Sequence, residues 1–273
     1  GGRGAHQFAE EVAFGNWLID ENFIFMGAYG FDAHGRPTGR LGLGRYDKAD
    51  HAGCETDPTA AFAATAPLVS IHQSRLHSPI HRDAPLVEVR MRLFDGDGVP
   101  DGGVVFQGLF TYKSDTGRAS QVPFLRGKLG RMVATEDLVP SSHRMKLFLS
   151  FFDRLPMAFS MTASEASLCT VINEAIDVDF GGPPRVWYRS EAGGSTAQVF
   201  AILPHNRYSD AIRNQLRDHL KGAFGAGEVL IKLLHGKTDA LVVDVLLSAE
   251  TALQTPDPDA LSDALSALVT PML

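Results

Sequence analysis

The chain is short of cysteine, of positive charge and of long apolar runs, and each shortage removes a class of function. Two cysteines in 273 residues, Cys54 and Cys169, are too few for a disulfide framework, which small secreted domains need because their cores are thin. Both read as free thiols in a reducing cytoplasm. The 25 Lys and Arg are outnumbered by 32 Asp and Glu, and they are scattered along the chain. Nucleic acid, which requires clustered positive charge, is therefore not an expected partner. No apolar run approaches the ~20 residues that cross a bilayer, and no basic segment followed by an apolar core marks a secretion signal. The chain opens Gly1-Gly2-Arg3-Gly4 without methionine and its last helix stops at Leu273, as expected of a piece of a longer protein.

Catalytic signatures are also missing. There is no G-x-S-x-G elbow, P-loop or H-E-x-x-H. Gly42-Leu-Gly44 and Gly222-Ala-Phe-Gly225-Ala-Gly227 lack the strand–glycine–helix order that cradles a dinucleotide. Asp95-Gly-Asp97-Gly98 has two calcium-type carboxylates but none of the downstream ligands, and reads as a turn. The segment Ser70 to Asp83 holds His72, His77, His81 and Asp83. Its spacing fits no common zinc motif, and Pro79 interrupts any helix there. These are read as hydrogen-bonded or solvent-facing histidines; a stand-alone metal enzyme built on them is the weakest alternative.

What is present is a mixed α+β pattern. Phe8 to Asp20 has helical character, with Phe8, Val12 and Trp17 on one face. Phe23 to Phe31 alternates aromatic and smaller residues as a half-buried strand does, Asp32 to Gly35 turns, and Leu41 to Arg45 returns. Residues 47–66 form a loop rich in Asp, Ala, Thr and Gly. In Leu86 to Phe94, Val87, Val89, Met91 and Leu93 fall on one side, while Glu88, Arg90 and Arg92 face solvent or a partner. Val104 to Lys113 is the returning strand. A helix starting near Pro123 carries Leu125, Leu129, Met132 and Val133. Ser142 to Arg154 is a second helix, and Thr162-Ala-Ser-Glu165 reads as a capping box opening a third, stopped by Gly181-Gly-Pro-Pro184.

The most informative stretch, Pro184 to Leu247, reads as two strands, a helix and two more strands. Tyr208, Ile212, Leu216, Leu220 and Phe224 form one helical stripe, which Gly225 ends. Burying those five side chains against Arg185–Arg189, Gln198–Leu203, Val229–Leu234 and Leu241–Leu247 contributes on the order of 10 kcal/mol. A final helix covers Asp259 to Val269. At the strand-to-helix step, Asn206 or Ser209 can cap the exposed amides, and Arg207 can clamp a carboxylate. Arg185 and Arg189, on one face of the neighbouring strand, complete a candidate site for a small anionic effector; its alternative is capping plus surface charge.

Several segments together resemble the N-terminal, non-catalytic region of the large-subunit bacterial NAD-specific glutamate dehydrogenases. They are Trp17 to Gly27, Gly42-Leu-Gly44-Arg45, Ser78-Pro-Ile-His81-Arg82, Arg92 to Asp95, Phe106 to Thr111, Val122 to Leu129, Pro184 to Arg189, and Leu203 to Tyr208 with Arg213. The resemblance implies a PAS-like sensor domain at 1–135, linking helices at 136–182, and an ACT-like, ferredoxin-like regulatory domain at 183–273. It also implies contacts with a catalytic part elsewhere in the parent and NAD as the parent's cofactor; a homo-oligomer is expected because small sheets with one open face or edge associate side by side. Catalytic, cofactor and metal sites are then expected outside this segment. Two departures stand out: residues 47–66 find no counterpart, and His205-Asn206 stands where Arg-Asp is expected. The expectation is a regulatory or assembly segment, with a purely structural scaffold as its rival.

Overall fold

The computed structural model describes residues 2–44, 68–80, 84–190 and 194–270, without the side chains of 2–8 and 75. The loop expected at 47–66, together with Cys54, His81 and Asp83, lies outside the described residues. The chain divides into two compact units, Gly1–Gly130 with Pro156–Ala163, and Arg131–Leu155 with Ser164–Leu273. Each holds one antiparallel sheet, so the molecule is mixed α+β.

In the first unit the sheet runs β2-β1-β5-β4-β3, from β1 (Phe23–Phe31), β2 (Pro37–Gly42), β3 (Val69–His77), β4 (Pro85–Phe94) and β5 (Pro100–Phe110). Helix α1 (Gly2–Trp17) passes into one wide turn over Leu18–Asn22. Glu11, Phe14 and Leu18 are buried, and Phe14 rests on Phe124; of the expected face, Val12 is exposed, Trp17 is half-buried against Phe14 and Phe110, and the side chain of Phe8 lies outside the described residues. After β5 come the short α2 (Tyr112–Thr116) and α3 (Leu125–Thr135), which buries Leu125, Leu129 and Met132 as expected.

β1 departs from simple alternation in one informative way. Its register with β5 slips between Phe25 and Gly27, the mark of a bulge at Met26. Phe23 and Phe25 therefore share a face with Phe106 and Phe110, where their rings meet edge to face. Tyr29 and Phe31 are turned to the opposite face, against Val105.

In the second unit, α4 (His143–Phe152) and α6 (Glu165–Asp179) precede a sheet ordered β6-β7-β9-β8. The strands are β6 (Arg185–Ser190), β7 (Thr196–Pro204), β8 (Glu228–Leu234) and β9 (Ala240–Ser248). α7 (Asp210–Phe224) and α8 (Pro258–Val269) lie on one face, over Val199, Ala201, Val243 and Val245, and Leu216, Leu220 and Phe224 are the buried part of the expected stripe. Gly225, at φ 66°, ends α7 in the left-handed region that glycine tolerates best.

The capping box is displaced. Thr162 closes a short helix, α5 (Met157–Thr162), which belongs to the first unit, and its hydroxyl donates back to the Ala158 carbonyl. α6 is capped two residues later, where Ser164 Oγ accepts from the Ser167 amide. A hydroxyl two positions along serves the same orphan amides, and the helical run of Met157 to Thr162 uses up the first one.

Candidate functional site

One face of the first sheet carries a set of buried polar groups, among them Glu88, Arg90 and Gln107. The alternation in β4 sorts its side chains as expected, with Val87 and Val89 on one side and Glu88, Arg90 and Arg92 on the other. Of the two expected outlets, solvent or a partner, solvent is wrong for Glu88 and Arg90, which are 0% and 3% exposed. β4 lies between β5 and β3, so Glu88 and Arg90 have side chains of both neighbouring strands beside them on their face of the sheet.

Burial of a charge is tolerated only when it is paired and hydrogen-bonded, and Glu88 is both. Its Oε2 accepts from Arg90 Nη2 at 2.8 Å and Arg90 Nε at 3.2 Å. Its Oε1 accepts from Tyr29 Oη at 3.2 Å and Gln107 Nε2 at 3.1 Å. Gln107 arrives because it stands across from Glu88 in the β4–β5 ladder. Tyr29 arrives because the Met26 bulge turns it to this face. Without that extra residue, the phenol would join Phe23 and Phe25 on the other side.

β3 supplies the remaining members. His72 stands across from Glu88, and Ser70 across from Arg90. The His72 Nε2 lies 3.1 Å from Ser70 Oγ. Burial, reinforced by the Arg90 charge and opposed by Glu88, pushes the His72 imidazole down to about 4. Three strands of the sheet thus meet Glu88, in a layer bounded by apolar Tyr29–Phe31–Val105 packing and by Met26, Leu86 and Leu109. Such a layer can hold a register, because slipping any strand by one residue strands a charge. It can also respond to a proton or to a competing polar ligand.

The other sequence candidates are placed as follows. His77 lies on β3 beyond a register slip that follows Gln73, opposite Pro85. Among the described residues, no group of three or more His, Cys, Asp or Glu is placed to hold a metal ion. Asp95 Oδ1 accepts from the amides of Asp97 and Val99 at 2.9 and 2.8 Å, so the Asp-Gly-Asp-Gly stretch is a self-bonded turn. Cys169 is buried in α6, and burial, with Glu136 beside it, raises its thiol to about 12.

Ser209 caps α7, its Oγ accepting from the Ile212 amide at 3.3 Å, while Asn206 and Arg207 sit exposed on the single turn before it. Arg185 and Arg189 stand across from Ile202 and Gln198, on the sheet face opposite the one α7 covers. Asn206, Arg207 and Ser209 thus follow one another into the start of α7, while the two strand arginines lie on the sheet face that α7 does not cover. Arg185 has the Glu174 carboxyl nearby; burial, eased by that arginine, raises the carboxyl.

Neither glycine-rich stretch fits a dinucleotide. Gly222 to Gly227 ends α7 and leads into β8, the reverse of the required order, and every strand pair among the described residues is antiparallel. Among the described residues, no helix is long and apolar enough to cross a membrane.

The buried layer was not legible as such in the sequence. The residues were visible, but the bulge that delivers Tyr29 and the central position of β4 are properties of long-range pairing. No protein-family model matches the chain. It is similar to the NAD-specific glutamate dehydrogenase of Pseudomonas aeruginosa, 24% identical over 233 residues, a stretch covering 79% of this chain and 14% of that protein. It is likewise similar to the NAD-specific glutamate dehydrogenase of Halomonas elongata, 23% identical over 227 residues, covering 77% of this chain and 14% of that protein. The chain thus spans about a seventh of the length of these curated relatives, with a similarity that reaches across most of its own.

Proposed function

We propose that the chain is a regulatory and assembly segment of a large NAD-specific glutamate dehydrogenase, without a catalytic centre of its own. The parent oxidises glutamate to 2-oxoglutarate and ammonia with NAD. The observation that carries this reading is the similarity itself: it extends over more than three quarters of the chain yet takes up only 14% of each relative. Among the described residues both sheets are antiparallel, and neither glycine-rich stretch leads from a strand into a helix.

Within this reading, residues 1–135 are the PAS-like sensor and 183–273 the ACT-like regulatory domain, with the helices over 136–182 between them in sequence. One difference bears on the second name. A ferredoxin-like unit runs β-α-β-β-α-β, whereas this one runs β-β-α-β-β-α, its edge strand β6 coming first. An amino-acid effector or a neighbouring subunit that prefers one arrangement of the segment would bias the catalytic part by population shift.

The test has two arms on the purified chain. Incubation with glutamate and NAD is expected to give no NADH; turnover would falsify the non-catalytic reading. Calorimetric titration with single amino acids is expected to give saturable heat with at least one. Silence throughout the set favours the structural scaffold, a reading with one observation behind it: β8 is an edge strand whose Leu230 is 54% exposed, a surface that invites another chain.

A further inference from the structure

We infer that His72 is an acid-sensitive latch on the edge strand of the first sheet, uptake of a proton there placing a second cation beside Arg90 and loosening β3 from β4. The inference does not depend on the glutamate dehydrogenase reading.

The geometry has three parts. Among the described residues β3 is an edge strand, paired with β4 alone, and its ladder is already interrupted between Gln73 and His77. His72 is the β3 residue that stands across from Glu88. The carboxylate that would balance an imidazolium is fully subscribed, since both its oxygens accept two bonds each from Arg90, Tyr29 and Gln107. A protonated His72 must therefore share Glu88 with Arg90 or leave the layer.

Among the described residues, the charged groups acting on His72 are Arg90 and Glu88 of β4, with Arg90 opposing the proton and Glu88 favouring it. Tyr29 of β1 and Gln107 of β5 reach the site through Glu88, and Ser70 is the neighbour on β3 itself. Desolvation and Arg90 prevail, and the imidazole is held neutral down to about 4 against an ordinary 6.5.

The sign follows from that depression. Above the ordinary value both forms are neutral, and the closed strand keeps its full advantage. Below it the released His72 binds a proton that the closed one refuses, so closure weakens as pH falls from 6.5 to about 4 and no further below. Across that window each pH unit shifts the closed-to-open ratio by about tenfold.

The experiment is carbon-detected NMR titration of the histidine rings in the whole chain, with amide exchange of β3 measured between pH 7.5 and 4.5. The His72 signal is assigned by its loss in His72→Gln or, should that variant not fold, by sequential assignment of the unaltered chain. His72 is expected to titrate near 4. After correction for intrinsic exchange rates, β3 opening should rise about tenfold per unit below 6.5. In His72→Gln the corrected rise is expected to vanish while amides of the second unit stay unchanged. A His72 titration between 6 and 7, or a β3 exchange profile that keeps its slope in the variant, overturns the latch.

Discussion

Glu88 and Arg90 are the residues on which the first unit has most to lose. An unpaired charge in a dry interior costs far more than its pair contributes, so removing one partner and removing both have different consequences. Glu88→Gln leaves Arg90 buried opposite a neutral amide, and Arg90→Met takes the guanidinium from a carboxylate that keeps Tyr29 and Gln107 as neutral donors. Each single change is expected to cost about 3–5 kcal/mol in urea unfolding. The double change Glu88→Leu with Arg90→Met replaces the pair with apolar volume and should recover most of that loss. If the double variant loses as much as the two singles together, the two side chains act independently, and the cost of each single is not that of orphaning its partner. At this scale the sequence is readable only in part. Alternation sorts Glu88 and Arg90 onto one face correctly, but it carries no information on whether that face meets water or the Tyr29 hydroxyl.

At the scale of the element, the best-read segments are those whose start and stop are written in their own residues. α7 has an N-cap serine, a full apolar stripe and a glycine in the left-handed region, and all three signals lie within the helix or one residue beyond it. Two substitutions test whether those end signals stabilise the helix as their geometry implies. Ser209→Ala removes the bond to the Ile212 amide, and about 1 kcal/mol of stability should go with it. Gly225→Ala forces a Cβ into the left-handed region, at a cost of about 1–2 kcal/mol. The pair should add, since they act on opposite ends of the helix; loss of less than half that sum in thermal unfolding would show that packing of Leu216, Leu220 and Phe224 alone holds α7. α6 shows where such local reading slips. Thr162 and Ser164 are both hydroxyl residues close to Glu165, and the choice between them is settled by α5, a six-residue helix too short to announce itself by periodicity. β1 slips for a related reason: the bulge at Met26 splits a row of aromatics that looks continuous in the sequence, and it is fixed by pairing with β5, some eighty residues away.

At the scale of the molecule, sheet direction bears on the proposed separation of this chain from the chemistry in its relatives' name. Dinucleotides bind outside the carboxyl ends of parallel strands, where a glycine-rich turn leads into a helix whose amides hold the pyrophosphate. Both sheets here are antiparallel, and the two glycine-rich stretches fail the order test: Gly222 to Gly227 follows α7, and Gly42 closes the edge strand β2 against Met26 and Gly27. An antiparallel sheet can still bind nucleotides through side chains, so the exclusion is a claim about this chain's surface and has to be measured. Titrating the chain into NADH and following nicotinamide fluorescence should give no saturable change up to about 1 mM, the upper end of common substrate constants. Saturable enhancement, with the blue shift that accompanies a desolvated ring, would place cofactor binding inside these two units. The similarity to glutamate dehydrogenases would then mark a cofactor-bearing segment, and the separation between sensing and chemistry proposed for it would have to be abandoned.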